Sequence, residues 1–249
     1  MKILTVILPA LNEELGIRQV IKEIPMKKLR ELGYLTEIMV IDNGSKDKTK
    51  LIAREEGASI IVQPVKGYGN AYKAGFANAN GEIIATGDAD LTYPFSILPS
   101  VIKKLEKEKL DFINTNRLKT VNKKVMSRSH IFGNYFLTTL MKLLFNTPFK
   151  DSQSGMWIFR SDIWEKLNVT SSGMSFSQEI KIEAYVKGFK CDEVQIDYRA
   201  RAGKEKLNTV RDGMKTASYL FIKKLKISMI DLRKSALTSY RFTITRFLS

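Results

Sequence analysis

Sulfur and imidazole are scarce in this chain. Of 249 residues one is cysteine, Cys191, and one is histidine, His130. A lone cysteine excludes an intramolecular disulfide and a cysteine-built zinc site, and a lone histidine excludes any metal site resting on two imidazoles. A serine–histidine–acid triad is a poor reading, because nothing in the sequence supports His130 in that role. Long apolar runs are also missing. Residues 3–8 are apolar, but Pro9 and the pair Glu13–Glu14 follow at once. That run is too short and wrongly flanked for a signal peptide. Residues 219–222 stop at Lys223–Lys224, far short of the roughly 20 apolar residues a membrane helix needs. The expectation is a chain that is soluble or lies on a surface. Its cysteine usage fits a reducing compartment.

What is present is enough for a sizeable core. Hydrophobic residues make up 44% and charged residues 27%, which excludes global disorder. The length suggests one large domain, or one domain with a terminal appendage. The net charge of +15 is uneven. Residues 1–116 are nearly balanced, with 16 basic and 15 acidic side chains. Residues 117–150 carry seven basic side chains and no acidic one, and residues 200–249 carry twelve against three. Such segments attract nucleic acid, anionic lipid headgroups or phosphorylated substrates, and charge alone does not choose among them.

The first half alternates β-branched runs with amphipathic stretches. Strands are expected at 3–8, 37–41, 59–62, 82–85 and 111–114, with helices at 13–24, 47–56, 68–79 and 95–107. That order implies an α/β fold, a mostly parallel sheet with helices on both faces. Ligands then bind beyond the carboxyl ends of the strands, near a switch in strand order. The second half is less regular: a helix at 127–144, a strand at 155–159, a helix at 176–186 and a strand at 191–196. Beyond Leu207, Met214, Ala217, Tyr219 and Leu220 keep helical spacing among lysines. The division expected is a main domain at 1–210 and a basic, amphipathic helical tail at 211–249.

Three strand ends carry polar clusters: Pro9 to Glu14, Asp42 to Ser45, and Gly87 to Pro94. Each aspartate alone reads as a cap or turn residue. Three such clusters on one sheet edge read as a site. Asp88 and Asp90, just past an apolar strand, have the spacing to share a hard divalent cation beside a diphosphate leaving group. Lys66-Gly67-Tyr68-Gly69 opens a helix whose first amides favour an anion. It is no dinucleotide fingerprint, because Tyr72 stands at the last glycine position and the preceding strand is the third. The acid-free stretch 117–150, with Arg117 and Arg128 before an apolar helix, suits docking of a phosphate beside a greasy surface.

Taken in order, these motifs resemble the dolichol-phosphate mannosyltransferase and dolichyl-phosphate glucose synthase group of glycosyltransferase family 2. The matching pieces are Leu8-Pro9-Ala10-Leu11-Asn12-Glu13, the run from Ile41 to Thr49, Lys66-Gly67-Tyr68-Gly69, Asp88-Ala89-Asp90-Leu91, Asp151-Ser152-Gln153-Ser154-Gly155, and the run from Arg201 to Leu207. The resemblance implies a GT-A fold, a nucleotide-diphosphate sugar donor, Mg²⁺ or Mn²⁺, and a polyprenyl-phosphate acceptor. By motif it implies that Pro9, Leu11, Glu13 and Asp42 line the base and ribose pocket, with Lys66 and Gly67 close by. Asp88 would face the ribose or the metal, and Asp90 would be the principal metal ligand. Arg117, Arg128, Arg201 and Lys206 would hold the acceptor phosphate or the diphosphate, and Glu179 would lie near the reaction centre. Two departures stand out. Asn43 replaces a second aspartate, and Thr92, expected as a metal ligand with Asp88 and Asp90, stands where the mannosyl enzymes commonly carry a glutamine ligand. The Thr92-Tyr93-Pro94 ending looks more like the glucose and N-acetylglucosamine transferring relatives.

The activity expected is inverting sugar transfer to dolichyl phosphate, with UDP-glucose or UDP-N-acetylglucosamine favoured over GDP-mannose. The enzyme would sit peripherally on an anionic membrane surface at the cytoplasmic face. A family 2 enzyme acting on a saccharide hydroxyl is the alternative. A nucleic-acid-binding protein is the remaining reading; it is disfavoured by the balanced first half and the lack of a zinc or aromatic–basic motif.

Overall fold

The computed structural model describes residues 1–119, 125–203 and 211–229. Seven strands form one sheet in the order β3-β2-β1-β4-β6-β5-β7. They are β1 (Lys2–Ala10), β2 (Tyr34–Asp42), β3 (Ser59–Val62), β4 (Ile83–Thr86), β5 (Phe112–Asn116), β6 (Trp157–Arg160) and β7 (Cys191–Gln195). All pairings are parallel except those of β6, which runs antiparallel between β4 and β5.

The central strands are mostly apolar because both faces are covered. Along β1, Leu4, Val6 and Leu8 enter one core and Ile7 the other; β2 repeats the alternation with Ile38 and Val40 against Met39 and Ile41. The first core takes α1 (Ile17–Glu23), α2 (Met26–Glu31), α3 (Thr49–Glu55) and α5 (Leu98–Lys107). The second takes α4 (Tyr68–Asn78), α6 (Arg128–Phe145) and α7 (Phe176–Val186). Small residues let α4 lie close to the sheet: a Cβ on Gly75 would stand 2.6 Å from the Ile7 side chain.

Residues 211–229 form a further helix, α8. It packs onto the second core through fully buried Leu220, with Thr216 and Lys223 also buried. The part of the expected tail beyond residue 229 lies outside the described residues. Among the described residues no helix is long and apolar enough to cross a membrane.

Some boundaries differ from the sequence expectation. The first helix starts at Ile17, not residue 13, because Asn12 adopts a left-handed φ of 52° and residues 13–16 form a turn closed on the Glu13 carbonyl. The short helix α2 follows Pro25 and was not expected. The register pairing Ala10 with Asp42 sets the ends of β1 and β2 level. β1 lies between β2 and β4, so chain order reverses there, and the three polar strand ends meet at that crevice.

Candidate active site

The first two strand ends are stitched together by short polar bonds. Asn43 N–H donates to the Ala10 carbonyl (2.9 Å), Asn12 N–H to Ser45 Oγ (2.9 Å), Lys46 N–H to Asn12 Oδ1 (2.8 Å) and Glu13 N–H to Thr49 Oγ1 (2.8 Å). Asp42 is fully buried; its Oδ1 accepts from Ser45 N–H at 3.1 Å. Its Oδ2 has no hydrogen-bond partner, with the Lys50 ammonium 3.5 Å away. Pro9 and Leu11 are half-buried beside it, Glu13 is buried, and Lys66 is exposed.

The third strand end carries the acidic pair. Asp90 is 3% exposed. Its Oδ1 accepts from Thr92 N–H (3.1 Å) and Thr92 Oγ1 (2.6 Å), while Oδ2 is paired with Arg201 Nη2 at 2.7 Å. Thr92, expected as a metal ligand, therefore gives its proton to Asp90 and orients it. Arg201 reaches the site because its segment runs beside the β4 end: Arg199 N–H bonds Thr92 O (3.0 Å) and Ala202 N–H bonds Asp90 O (2.8 Å). Arg201 also stands 3.7 Å from Glu13. Enclosure and then the charge of Asp90 push the Asp88 carboxyl up to about 7, against the pull of Arg117 and Arg201. Two carboxylates crowded in this way are under-compensated.

A second set of groups forms the floor. Arg117 lies on Asp151 in a buried bidentate pair, Nε to Oδ2 at 2.8 Å and Nη2 to Oδ1 at 3.0 Å, and over the Tyr198 ring at 5.2 Å. Burial alone would push Asp151 up, but the guanidinium more than offsets this and holds the carboxyl below its ordinary range. Fully buried Lys181 supports the same loop. Its ammonium donates to the carbonyls of Ser152 (2.7 Å) and Ser154 (2.8 Å) and to Ser177 Oγ (3.3 Å). Burial drives it down to about 7. Gly155 is gripped by Tyr93 and Tyr72 hydroxyls at 2.6 and 3.1 Å. A Cβ there would fall 2.3 Å from the Tyr68 hydroxyl and 3.6 Å from Asp88 Oδ1.

The other candidates are placed differently. Glu179 has no exposed surface. Its carboxylate is consumed by Thr170 and Ser171 amides (3.1 and 2.8 Å) and by Lys223 (2.9 Å), so it anchors a loop rather than facing the acidic pair. Arg128 is exposed on the first turn of α6, without an ion pair to Asp88, Asp90 or Asp151. Lys206 lies outside the described residues. The start of α4 is no open anion site: Gly67 N–H is taken by Asn43 Oδ1 (2.8 Å), and Gly69 and Asn70 N–H by Ser172 O (2.9 and 3.3 Å). Its glycines are required by close approach, since a Cβ on Gly67 or Gly69 would stand 2.4 or 2.5 Å from the carbonyls of Ser172 and Ser171. Sequence reasoning gave no role to Asp151, Lys181 and the tyrosines. The available signal was Asp151 itself, the first acid after the acid-free stretch.

A mixed seven-stranded sheet with helices on both faces and an acidic pair at its switch point is a GT-A glycosyltransferase architecture. Among solved structures, glucosyl-3-phosphoglycerate synthase from Mycobacterium tuberculosis in complex with UDP superposes with a TM-score of 0.73 at 21% identity, over 90% of this chain and 80% of that one. The same synthase with Mn²⁺, UDP-glucose and phosphoglyceric acid also gives 0.73. The glycosyl transferase family 2 model matches residues 5–167, and the chain belongs to that family. The low-salt glycan biosynthesis hexosyltransferase Agl6 of Haloferax volcanii is 34% identical over 88% of this chain, which spans only 53% of Agl6. The dolichyl-phosphate hexose transferase of the same organism is 31% identical over 84% of this chain and 89% of its own length.

Proposed function

We propose that this glycosyltransferase moves a hexose, with inversion, from a nucleoside-diphosphate sugar to dolichyl or another polyprenyl phosphate. The observation that carries the reading is the joining, in one crevice, of an under-compensated acidic pair with the Arg201 and Arg117 guanidiniums. UDP-glucose or UDP-N-acetylglucosamine is the favoured donor. The relative named dolichyl-phosphate hexose transferase, matched over most of both chains, supports the lipid acceptor.

Among the described residues no three His, Cys, Asp or Glu side chains form a metal-ligand group. Asp88 and Asp90 nevertheless fit a divalent ion that also takes diphosphate oxygens, because they are two hard carboxylates placed together just past the end of β4. They would hold Mg²⁺ or Mn²⁺, which supplies charge neutralisation of the leaving diphosphate. The chain's own residues do the rest. Asp42 and Glu13 bound the donor pocket, Thr92 fixes the Asp90 carboxylate, Arg201 presents positive charge to phosphate oxygens, and Arg117, matched by Asp151, offers its guanidinium as a hydrogen-bond donor and not as net charge. A phosphate monoester, with a second pKa of about 6, is mostly a dianion near neutral pH, so no strong general base is needed. That agrees with Glu179 being spent on loop backbone.

Two helix faces support docking on an anionic membrane at the cytoplasmic side. Phe132, Tyr135, Phe136 and Leu143 are exposed along α6, and Met214, Phe221, Leu225 and Met229 along α8, with exposed Lys215, Lys224 and Lys226 beside them. Each basic residue near such a surface contributes on the order of 1 kcal/mol. The test offers labelled UDP-glucose, UDP-N-acetylglucosamine and GDP-mannose with either polyprenyl phosphate or soluble saccharides. Label is expected in the lipid phase, dependent on divalent ion and abolished in Asp90→Ala with the fold retained. Label confined to saccharide would overturn the lipid reading, and retained activity in Asp90→Ala would remove Asp90 from the site.

A further inference from the structure

Lysine is rarely buried without a task, and Lys223 is 4% exposed. Its ammonium donates to Glu179 Oε1 and to the Asn168 carbonyl, each at 2.9 Å, and is ion-paired with Glu183 Oε1 at 2.6 Å. α8 is thereby bolted to α7 and to the loop before it. What the bolt holds is a short run of backbone. Glu179, anchored by Lys223, receives the amides of Thr170 and Ser171. The next carbonyl, of Ser172, closes the start of α4 by accepting from Gly69 and Asn70. Gly67 and Gly69 let that carbonyl run lie close against α4, since a side chain on either would collide with the Ser172 or Ser171 carbonyl. Between them stands Tyr68, whose hydroxyl occupies the space a Gly155 side chain would need, beside Asp88.

We infer that Lys223 is a positioning residue for the donor side of the crevice: through Glu179 it fixes backbone 170–172, which seats Tyr68 against Gly155 and Asp88. The inference rests on the proposed donor site. From Lys223 to the start of α4 every link is a hydrogen bond, so the chain is stiff and short. It leaves out Arg117 and Asp151, on the floor, which have their own anchor in Lys181. The expected signature is therefore one-sided.

The test uses the full chain with Lys223→Met, Glu179→Gln and Glu183→Gln, read by amide hydrogen exchange and by steady-state kinetics. Losing a charge-assisted bond at Glu179 should speed exchange at Gly69 and Asn70 roughly tenfold and raise the donor KM by a similar factor, with the acceptor KM held within about twofold. Exchange along β1 should not change. Glu183→Gln, on the Asn168 side of the ammonium, should leave Gly69 and Asn70 near wild type. Unchanged exchange at Gly69 and Asn70 in Lys223→Met overturns the inference. So does a uniform rise of exchange in β1 and α4 alike, which would mark a purely structural lysine. If Lys223→Met does not fold, Glu179→Gln carries the same two outcomes. The exchange arm needs no substrate, so it decides the inference even if no nucleotide-sugar is turned over.

Discussion

Asp88→Asn gives the sharpest test of the crowding at the acidic pair. The Asp88 carboxyl titrates at about 7 in the fold against 3.8 ordinarily. The folded protein therefore holds a proton that the unfolded chain has released between those values, and stability falls as pH rises through that window. The full shift corresponds to at most roughly 4 kcal/mol. The Asp88 side chain keeps some solvent contact, so about 2 kcal/mol is expected. Asparagine removes the charge and hence the loss. The variant should match wild type near pH 4 and be more stable above pH 7, by about 4–8 °C in Tm for a chain of this size. The measurement is thermal unfolding from pH 4 to 8 with a chelator present. Added Mn²⁺ should then return wild type toward the variant, since an ion bound only by the folded state stabilises it. A difference between the proteins that is the same at pH 4 and pH 8 would refute the reasoning.

Arg117→Ala strips the partner from a buried aspartate and should cost about 3–5 kcal/mol, whereas exposed Arg128→Ala should stay within ~0.5 kcal/mol, both read by urea denaturation. In folded preparations both should weaken use of lipid phosphate more than donor hydrolysis; equal falls in both rates would show that neither reads the acceptor. Gly155→Ala drives a methyl into the Tyr68 hydroxyl and toward Asp88, so transfer should fall by roughly tenfold or more with overpacking costing ~1–3 kcal/mol, measured as kcat/KM and Tm. Serine at Phe132, Phe136 and Leu225 together should abolish flotation with anionic liposomes while leaving Tm unchanged, because these side chains are exposed.

The sequence carries local periodicity well and long-range pairing poorly. β3 at 59–62 and α7 at 176–186 fall where expected, because an apolar run between turn residues announces its own ends. The direction of β6 was not legible, since an antiparallel strand between two parallel neighbours has the same local pattern. Asp42, Asp88 and Asp90 were legible because they end apolar strands. Asp151 and Arg117 are 34 residues apart, and nothing local joins them. Lys181 and Lys223 look like surface lysines until the fold buries them. The two glycines flanking Tyr68 suggested an anion loop, but a neighbouring carbonyl and not a phosphate demands the missing side chains.

These placements divide the crevice into halves of unlike charge. Arg117 is already matched by Asp151 on the floor, so it adds little net charge above. On the strand-end side Asp42, Asp88, Asp90 and Glu13 stand against Arg201 and the more distant Lys50. A diphosphate entering that side meets a surplus of carboxylate, and one guanidinium shared between Asp90 and Glu13 cannot offset it. The raised Asp88 carboxyl registers the same surplus from within the fold. Acidity at the pair and the proposed need for a divalent ion are thus one electrostatic quantity seen from two sides. A substitution that relaxes the first, as Asp88→Asn does, must weaken the second.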